Sequence, residues 1–272
     1  EFITNVEQGN SVEISQDLTI KLEKDLIITK TVTIGTWGSA KATLTIDLNG
    51  HTIKFNGSSA YLYVQNTGTL IIEDSVGGGL ITNADATSAN SYLIQVKGVC
   101  EINGGTVENT LASKTALYLQ GETKVATGML NGGTIKNSYT GSGRAVSVGK
   151  GKFTMNSGKV ENKAAGSDGL VPAIQGGEII ITGGTIESAG TGIQSSNANV
   201  SITGGTIKAD WFGLHTSYAT INPAEGKTVN IIVPTPETQR KAALVLTYNK
   251  LTTGGNEIYG GNFEAPMFME TG

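Results

Sequence analysis

Cysteine, histidine, arginine and proline are all scarce in this chain, and each shortage removes a class of explanation. One cysteine, Cys100, excludes an internal disulfide. It aligns with Phe153, Ile179 and Val200 at an inward position and has no histidine nearby in sequence, so it reads as a buried structural thiol. Two histidines far apart, with that single cysteine, do not assemble a zinc ligand set. Arginine occurs only as Arg144 and Arg240, in unrelated contexts. Charged residues make up 15%, with net charge −4 and pI near 5.3, which gives no basic footprint for nucleic acid or an anionic membrane surface. No apolar run approaches the roughly 18 residues that suggest a membrane-spanning helix, and the first residues do not read as a signal peptide. Glu1-Phe2 is the pair a common restriction site encodes, so a natural protein longer at both ends is expected.

Glycine, by contrast, is abundant, at 38 residues against 5 prolines, and much of it lies in one recurring hexapeptide. The copies begin at Leu48, Ile102, Leu130, Met155, Ile181, Ile202 and, in worn form, Ile258. Two of them read Ile102-Asn103-Gly104-Gly105-Thr106-Val107 and Ile181-Thr182-Gly183-Gly184-Thr185-Ile186. Neighbouring copies start 28, 25, 26 and 21 residues apart, and the two gaps of 54 and 56 are each two repeats long. A period of this length marks a stacked-repeat architecture. Each repeat holds three short alternating runs, such as Ala116–Gln120, Glu178–Ile181 and Thr185–Ser188. Period-two alternation means strands, and strands this short are stable only when stacked on equivalents above and below. The chain is therefore expected to be all-β: a single right-handed parallel β-helix of three parallel sheets and about ten coils. It is read as one domain over 1–272, with a strand-rich N-terminal cap over 1–45, regular coils over 46–222 and irregular C-terminal coils over 223–272, where Pro223, Pro234 and Pro236 interrupt the period.

Stacking predicts columns. With Val76–Ile81 filling the first gap, one core column is Ile53, Ile81, Val107, Ile135, Val160, Ile186, Ile207 and Phe263. The next position points outward and carries Lys54, Thr82, Glu108, Lys136, Glu161, Glu187, Lys208 and Glu264. In it Glu161 over Glu187 is an unfavourable pair, or alternatively a place for a cation. Asn83, Asn109, Asn137, Asn162 and Ser188 follow, and read as a hydrogen-bonded structural ladder. His51 stands where other copies have the second glycine and is given a turn role, because histidine tolerates positive φ better than most residues. Glu73-Asp74 reads as a solvated turn.

The coil pattern resembles the pectate-lyase-like superfamily of right-handed β-helices. Thr45–Ile53, followed by Gly68–Ser75, is similar to repeat regions of adhesin-like surface proteins of gut anaerobic bacteria. The shared residues are turn and core residues, so the resemblance implies the fold far more than an activity. Lyases of that fold carry clustered acids for calcium and a basic residue that abstracts a proton. Its glycosidases carry an Asn-Thr-Asp strand, an Asp-Asp pair and a Gly-His-Gly turn. Neither set is found in this sequence. No catalytic residue, metal or cofactor is assigned, and the glycine pairs are not followed by helices that could make phosphate loops.

The expectation is a non-catalytic binding segment of a bacterial cell-surface protein, extracellular, engaging a host protein (secreted immunoglobulin is a candidate) or a glycan. It would bind no nucleic acid, insert in no membrane and be a monomer when excised. The alternatives are a polysaccharide lyase or glycosidase of the same fold and a ligand-free stalk. The binding face is placed on the run preceding each hexapeptide, whose outward residues Tyr63, Gln95, Tyr118, Ser147, Gln175, Gln194 and His215 form an uncharged column rich in amides and aromatics. Trp211, Phe212 and Tyr218 join it near one end.

Overall fold

The computed structural model describes the chain except Trp37, Thr123, Asp168, Asn197 and residues 235–240, 247–256 and 265–272. Pro236 and Arg240 thus lie outside the described residues. The fold is all-β: three parallel sheets of ten strands each wind into a right-handed-type β-solenoid, every strand pairing with the strands three before and three after it in sequence. The turns number about eight, slightly fewer than the ten coils expected. The first and last rungs pair on one side only, and the last includes the two-residue strand Glu257–Ile258. The first sheet starts at Val12–Ile14, the second at Leu18–Lys21 and the third at Leu26–Ile28. Strands of the expected N-terminal cap therefore already run in the solenoid. Ahead of them a helix, Phe2–Glu7, buries Val6 against the first rung. Among the described residues no helix is long and apolar enough to cross a membrane.

The core column runs through the third sheet as read from sequence, Ile53 to Ile81 to Val107 to Ile135 to Val160 to Ile186 to Ile207. Two further members carry no copy of the hexapeptide: Leu26 begins the column, and Ile231 stands between Ile207 and Phe263, filling the second long gap. Removing these aliphatics from water drives the winding, at about 25 cal/mol per Å² of apolar surface. In the first sheet alternation breaks from the strand Tyr92–Val96 onward. Leu93-Ile94, Ala116-Leu117, Ala145-Val146 and Ala173-Ile174 are consecutive buried pairs. From Ala116 onward the first residue of each pair is small. In the next rung the position is Gly192, where a Cβ would come within 2.6 Å of Ile207 Cγ2.

The asparagine ladder forms. Asn83 Nδ2 donates to Asn109 Oδ1 (2.8 Å), Asn109 Nδ2 to Asn137 Oδ1 (2.6 Å) and Asn137 Nδ2 to Asn162 Oδ1 (2.7 Å). It ends with Asn162 Nδ2 on the Pro172 carbonyl at 2.9 Å. All four asparagines are buried, so each bond also spares an amide the cost of burial without a partner. A second, exposed ladder joins Asn103, Asn131, Asn156 and Thr182 through bonds of 2.8–2.9 Å at the second hexapeptide position.

Three local readings change. His51 does not carry the positive φ; Asn49 (49°) and Gly50 (79°) do. The turn is closed one residue early because Asn49 Nδ2 bonds the Leu22 carbonyl and the Gly50 N–H donates to Asp74 Oδ1, while the His51 N–H returns to the Leu48 carbonyl. Asp74 is not a solvated turn residue: its second oxygen accepts the Gly79 N–H at 2.7 Å. Asp47 likewise accepts from the Ser75 and Asn49 amides, and the Ser75 bond first of all holds its carboxyl below the usual aspartate range. Thr82 is buried rather than outward, its hydroxyl accepting from the Ala84 N–H.

The Glu161–Glu187 pair holds no space for a cation, because Lys159 Nζ lies 2.9 Å from Glu161 and 2.7 Å from Glu187. Lys136 sits between Glu108 and Glu161 at 3.5 and 4.0 Å. Cys100 is fully buried against the core, and that burial pushes its thiol up to about 12.

Asn137→Ala should cost about 1–3 kcal/mol, because it breaks two buried ladder bonds at once and removes the donor of the Tyr139 carbonyl. Asn131→Ala, on the exposed ladder, should cost under about 1 kcal/mol. Denaturant titration of the two variants checks the order, and equal losses would contradict it. Cys100 should resist a neutral disulfide reagent at pH 8 in the native state and react at once after unfolding, since only the thiolate attacks.

Candidate binding face

The first sheet carries the residues that the sequence marked. Tyr63 pairs with Gln95, Gln95 with Tyr118, Tyr118 with Ser147, Ser147 with Gln175, Gln175 with Gln194 and Gln194 with His215. Six of the eight marked residues therefore share one outward column on successive rungs, with Ser147 between them. Leu62, Val64, Leu117, Leu119, Ile174, Ile193 and Leu214 beneath them are completely buried, which fixes the column outward. Trp211 and Tyr218 are near but not in it. They lie on the turns before and after the strand Phe212–Thr216. The Trp211 indole packs over Gly169, where a Cβ would come 1.9 Å from its Cδ2, and Lys241 Nζ is 5.9 Å from the ring centroid. Tyr218 shapes the next turn, its N–H donating to Thr216 Oγ1 at 3.2 Å and its carbonyl accepting from the Val200 N–H at 3.0 Å.

The column divides into three stretches. At the N-terminal end it is aromatic. Tyr92 stacks on Tyr118 with ring centroids 4.3 Å apart, Tyr61 lies 5.9 Å from Tyr63, and Lys97 Nζ sits 5.5 Å from the Tyr63 centroid. The ammonium of Lys97 is anchored by Glu122 at 2.6 Å, which above all raises its pKa. Burial, then the neighbouring Tyr92, raises the pKa of Tyr118. Gln95 is occupied here, its amide donating to the side-chain oxygen of Gln120.

In the middle the face opens into a groove of about 480 Å³ with Tyr118 at one end, Ser147, Gln175 and Gln194 along it and the backbone of Gly149, Gly176 and Gly177 at its side. The glycines are required by stacking itself: a Cβ at Gly176 would lie 2.3 Å from the Val148 carbonyl oxygen, and one at Gly177 would lie 2.0 Å from Val148 Cγ1. Their bareness leaves the groove shallow and backbone-lined. At the C-terminal end Phe212 meets His215 edge-on at 5.7 Å.

Tyr61, Tyr92, Lys97 and the turn glycines escaped the sequence reading. Strict alternation would send Tyr92 and Gln95 to opposite faces. The buried pair Leu93-Ile94 between them returns both to the outside, and the same holds for Phe212 and His215 around Gly213-Leu214. The recurring small-plus-aliphatic pair was the signal that could have found them.

A larger groove, about 520 Å³, lies on the third sheet beside Glu161, Glu187, Lys208 and Asp210. It is charged, and two of its carboxylates are already tied to Lys159. Among the described residues no three His, Cys, Asp or Glu side chains gather where they could hold a metal ion. Comparison with protein-family models, with curated proteins and with solved structures finds no match.

The stacked environment of Tyr118 has a spectroscopic consequence. Phenolate absorbance should include a component ionising above the ordinary tyrosine range of about 10, to which Tyr61, Tyr118 and Tyr259 contribute, and Tyr118→Phe should reduce it. An unchanged titration curve in that variant would contradict the burial described.

Proposed function

We propose that this chain is a non-catalytic binding segment of a bacterial cell-surface protein, adhesin-like and extracellular, and that it engages a host protein or glycan through the outer face of the first sheet. The observation that carries the reading is the contrast between two faces of one solenoid. On the third sheet, charges pair with one another across rungs. On the first, an uncharged column of tyrosine, serine and glutamine lines a groove. Aromatic and amide groups are those that anchor interfaces and stack on sugars, and a rigid solenoid holds them in a row suited to an extended partner.

The same contacts weigh against the enzymatic alternative. Asp47 and Asp74 are spent on turn amides, and Glu161 and Glu187 on Lys159, so these four acids are committed to structure. The resemblance to the pectate-lyase-like superfamily, and to gut-bacterial surface repeats, rests on the turn and core residues and adds the surface setting to the proposal.

Capture from host secretions, together with a glycan screen, tests the reading. Tyr118→Ala and His215→Ala should each weaken capture by about 1 kcal/mol or more, roughly fivefold, and leave the thermal midpoint nearly unchanged. Full capture by a Tyr118→Ala/Trp211→Ala double variant would move the interface elsewhere. Ultraviolet-absorbing unsaturated products from pectin or alginate, with or without calcium, would replace the binding reading with a lyase.

A further inference from the structure

Within the candidate face the groove differs from its surroundings in one respect: its polar side chains are uncommitted. Lys97 is held by Glu122, Gln95 by Gln120, and the buried asparagines by one another. The Ser147 hydroxyl and the amides of Gln175 and Gln194 make no hydrogen bond among the described residues, although they stand on three successive rungs and are only half-exposed. Each amide offers two donors and an acceptor with two lone pairs, and the hydroxyl offers both roles. Among the described residues that line the groove, none has an ionisable side chain except Tyr118, whose pKa is raised. Arg144, three residues before Ser147 on the same strand, is not among the lining residues.

Geometry narrows the ligand further. Rungs repeat at about 4.8 Å, so Tyr118, Ser147, Gln175 and Gln194 present four positions over about 14 Å along the solenoid axis. An extended peptide places like-facing side chains about 6.7 Å apart and falls out of step with that spacing. Peptides are commonly held by adding a strand to a free sheet edge. No edge is available here, because the strands carrying Ser147, Gln175 and Gln194 are paired on both sides. A peptide laid along the groove would therefore leave its own amides without backbone partners, at a cost for each one buried. A glycan asks for neither. Its hydroxyls donate and accept, as the amides do, and the C–H face of a sugar ring suits the flat Tyr118 platform. A carboxylate or sulfate lodged in the groove would meet no cation among its lining residues, and an unpaired buried charge is expensive.

We infer that the groove between Tyr118 and Gln194 is a subsite for a neutral linear oligosaccharide lying along the solenoid axis, about one sugar ring per rung, hydrogen-bonded by Ser147, Gln175 and Gln194. This rests on the reading of the first sheet as the binding face.

Titration calorimetry of the whole chain against neutral gluco-, manno-, xylo- and galacto-oligosaccharides of two to six units tests it, with galacturonate and sulfated oligomers as the charged arm. At least one neutral series should bind, gaining affinity with length and levelling near four units. Gln175→Ala and Gln194→Ala should each weaken it about fivefold or more, with circular dichroism and thermal midpoint unchanged. Three results overturn the inference: no neutral oligomer binds, only charged oligomers bind and do so through Arg144 (lost in Arg144→Gln), or the Gln175→Ala/Gln194→Ala double variant binds fully. If no neutral oligomer binds but host-protein capture is lost in Tyr118→Ala, this inference falls and the binding face stands. If nothing is captured at all, both fall.

Discussion

Pairing between rungs leaves no strand with a partner from its own turn. Every backbone bond of the sheets reaches the turn before or the turn after, some twenty to thirty residues away. Register cannot be set by a local hairpin, since there is none. It is set by what stacks: isoleucine on isoleucine inside, asparagine on asparagine at the corner, glycine where chain passes close to chain. Slipping a strand by one residue would turn its aliphatics outward and break the corner hydrogen bonds at the same time. The columns are thus the cause of the fold's order as much as its appearance.

How far this could be read beforehand follows from the same fact. Wherever the Gly-Gly turn survives, the column through Val107, Ile135, Ile186 and Ile207 was legible residue by residue, because the turn fixes the phase of the alternation that follows. Where the turn is absent the phase is lost. Leu26 and Ile231 complete the column but announce themselves only as apolar residues in strand-like runs. The candidate face was legible as a column and not as a groove. The outward placement of Tyr92 depends on a break in alternation at Leu93-Ile94, and the glycine side on how closely neighbouring rungs pass. No single run of sequence contains that information. The turn at His51 shows the opposite limit: Asn49 and Gly50, together with Asp74 from the next rung, outcompeted the position that alignment favoured.

The three faces divide the chemistry of the surface. The third sheet places acids and lysines in one column and lets them neutralise one another across rungs, the Lys159 ammonium resolving what would be a carboxylate clash. Exposed pairs of this kind add little stability each, but they keep the face from acting as a field of one sign. The turns between the second and third sheets spend their acids on backbone amides. On the first sheet Ser147, Gln175 and Gln194 are left without side-chain partners among the described residues, and they fall beside the bare backbone of Gly149, Gly176 and Gly177.

The buried ladder also has a direction. Each amide donates toward the C-terminal side and accepts from the N-terminal side, from Asn83 to the Pro172 carbonyl. No member can flip alone without breaking two bonds. The ladder gives out past Asn162, where Ser188 and then Ala209 take the position. Amide protons in the rungs that carry it should therefore exchange slowest, and exchange should quicken toward the ends, so that the solenoid frays from its tips while the middle holds. The groove begins on ladder-bearing rungs and extends past them. A ligand bridging Tyr118 to Gln194 would clamp a firm segment to a looser one, and its binding would be felt as slowed fraying well beyond the residues it touches.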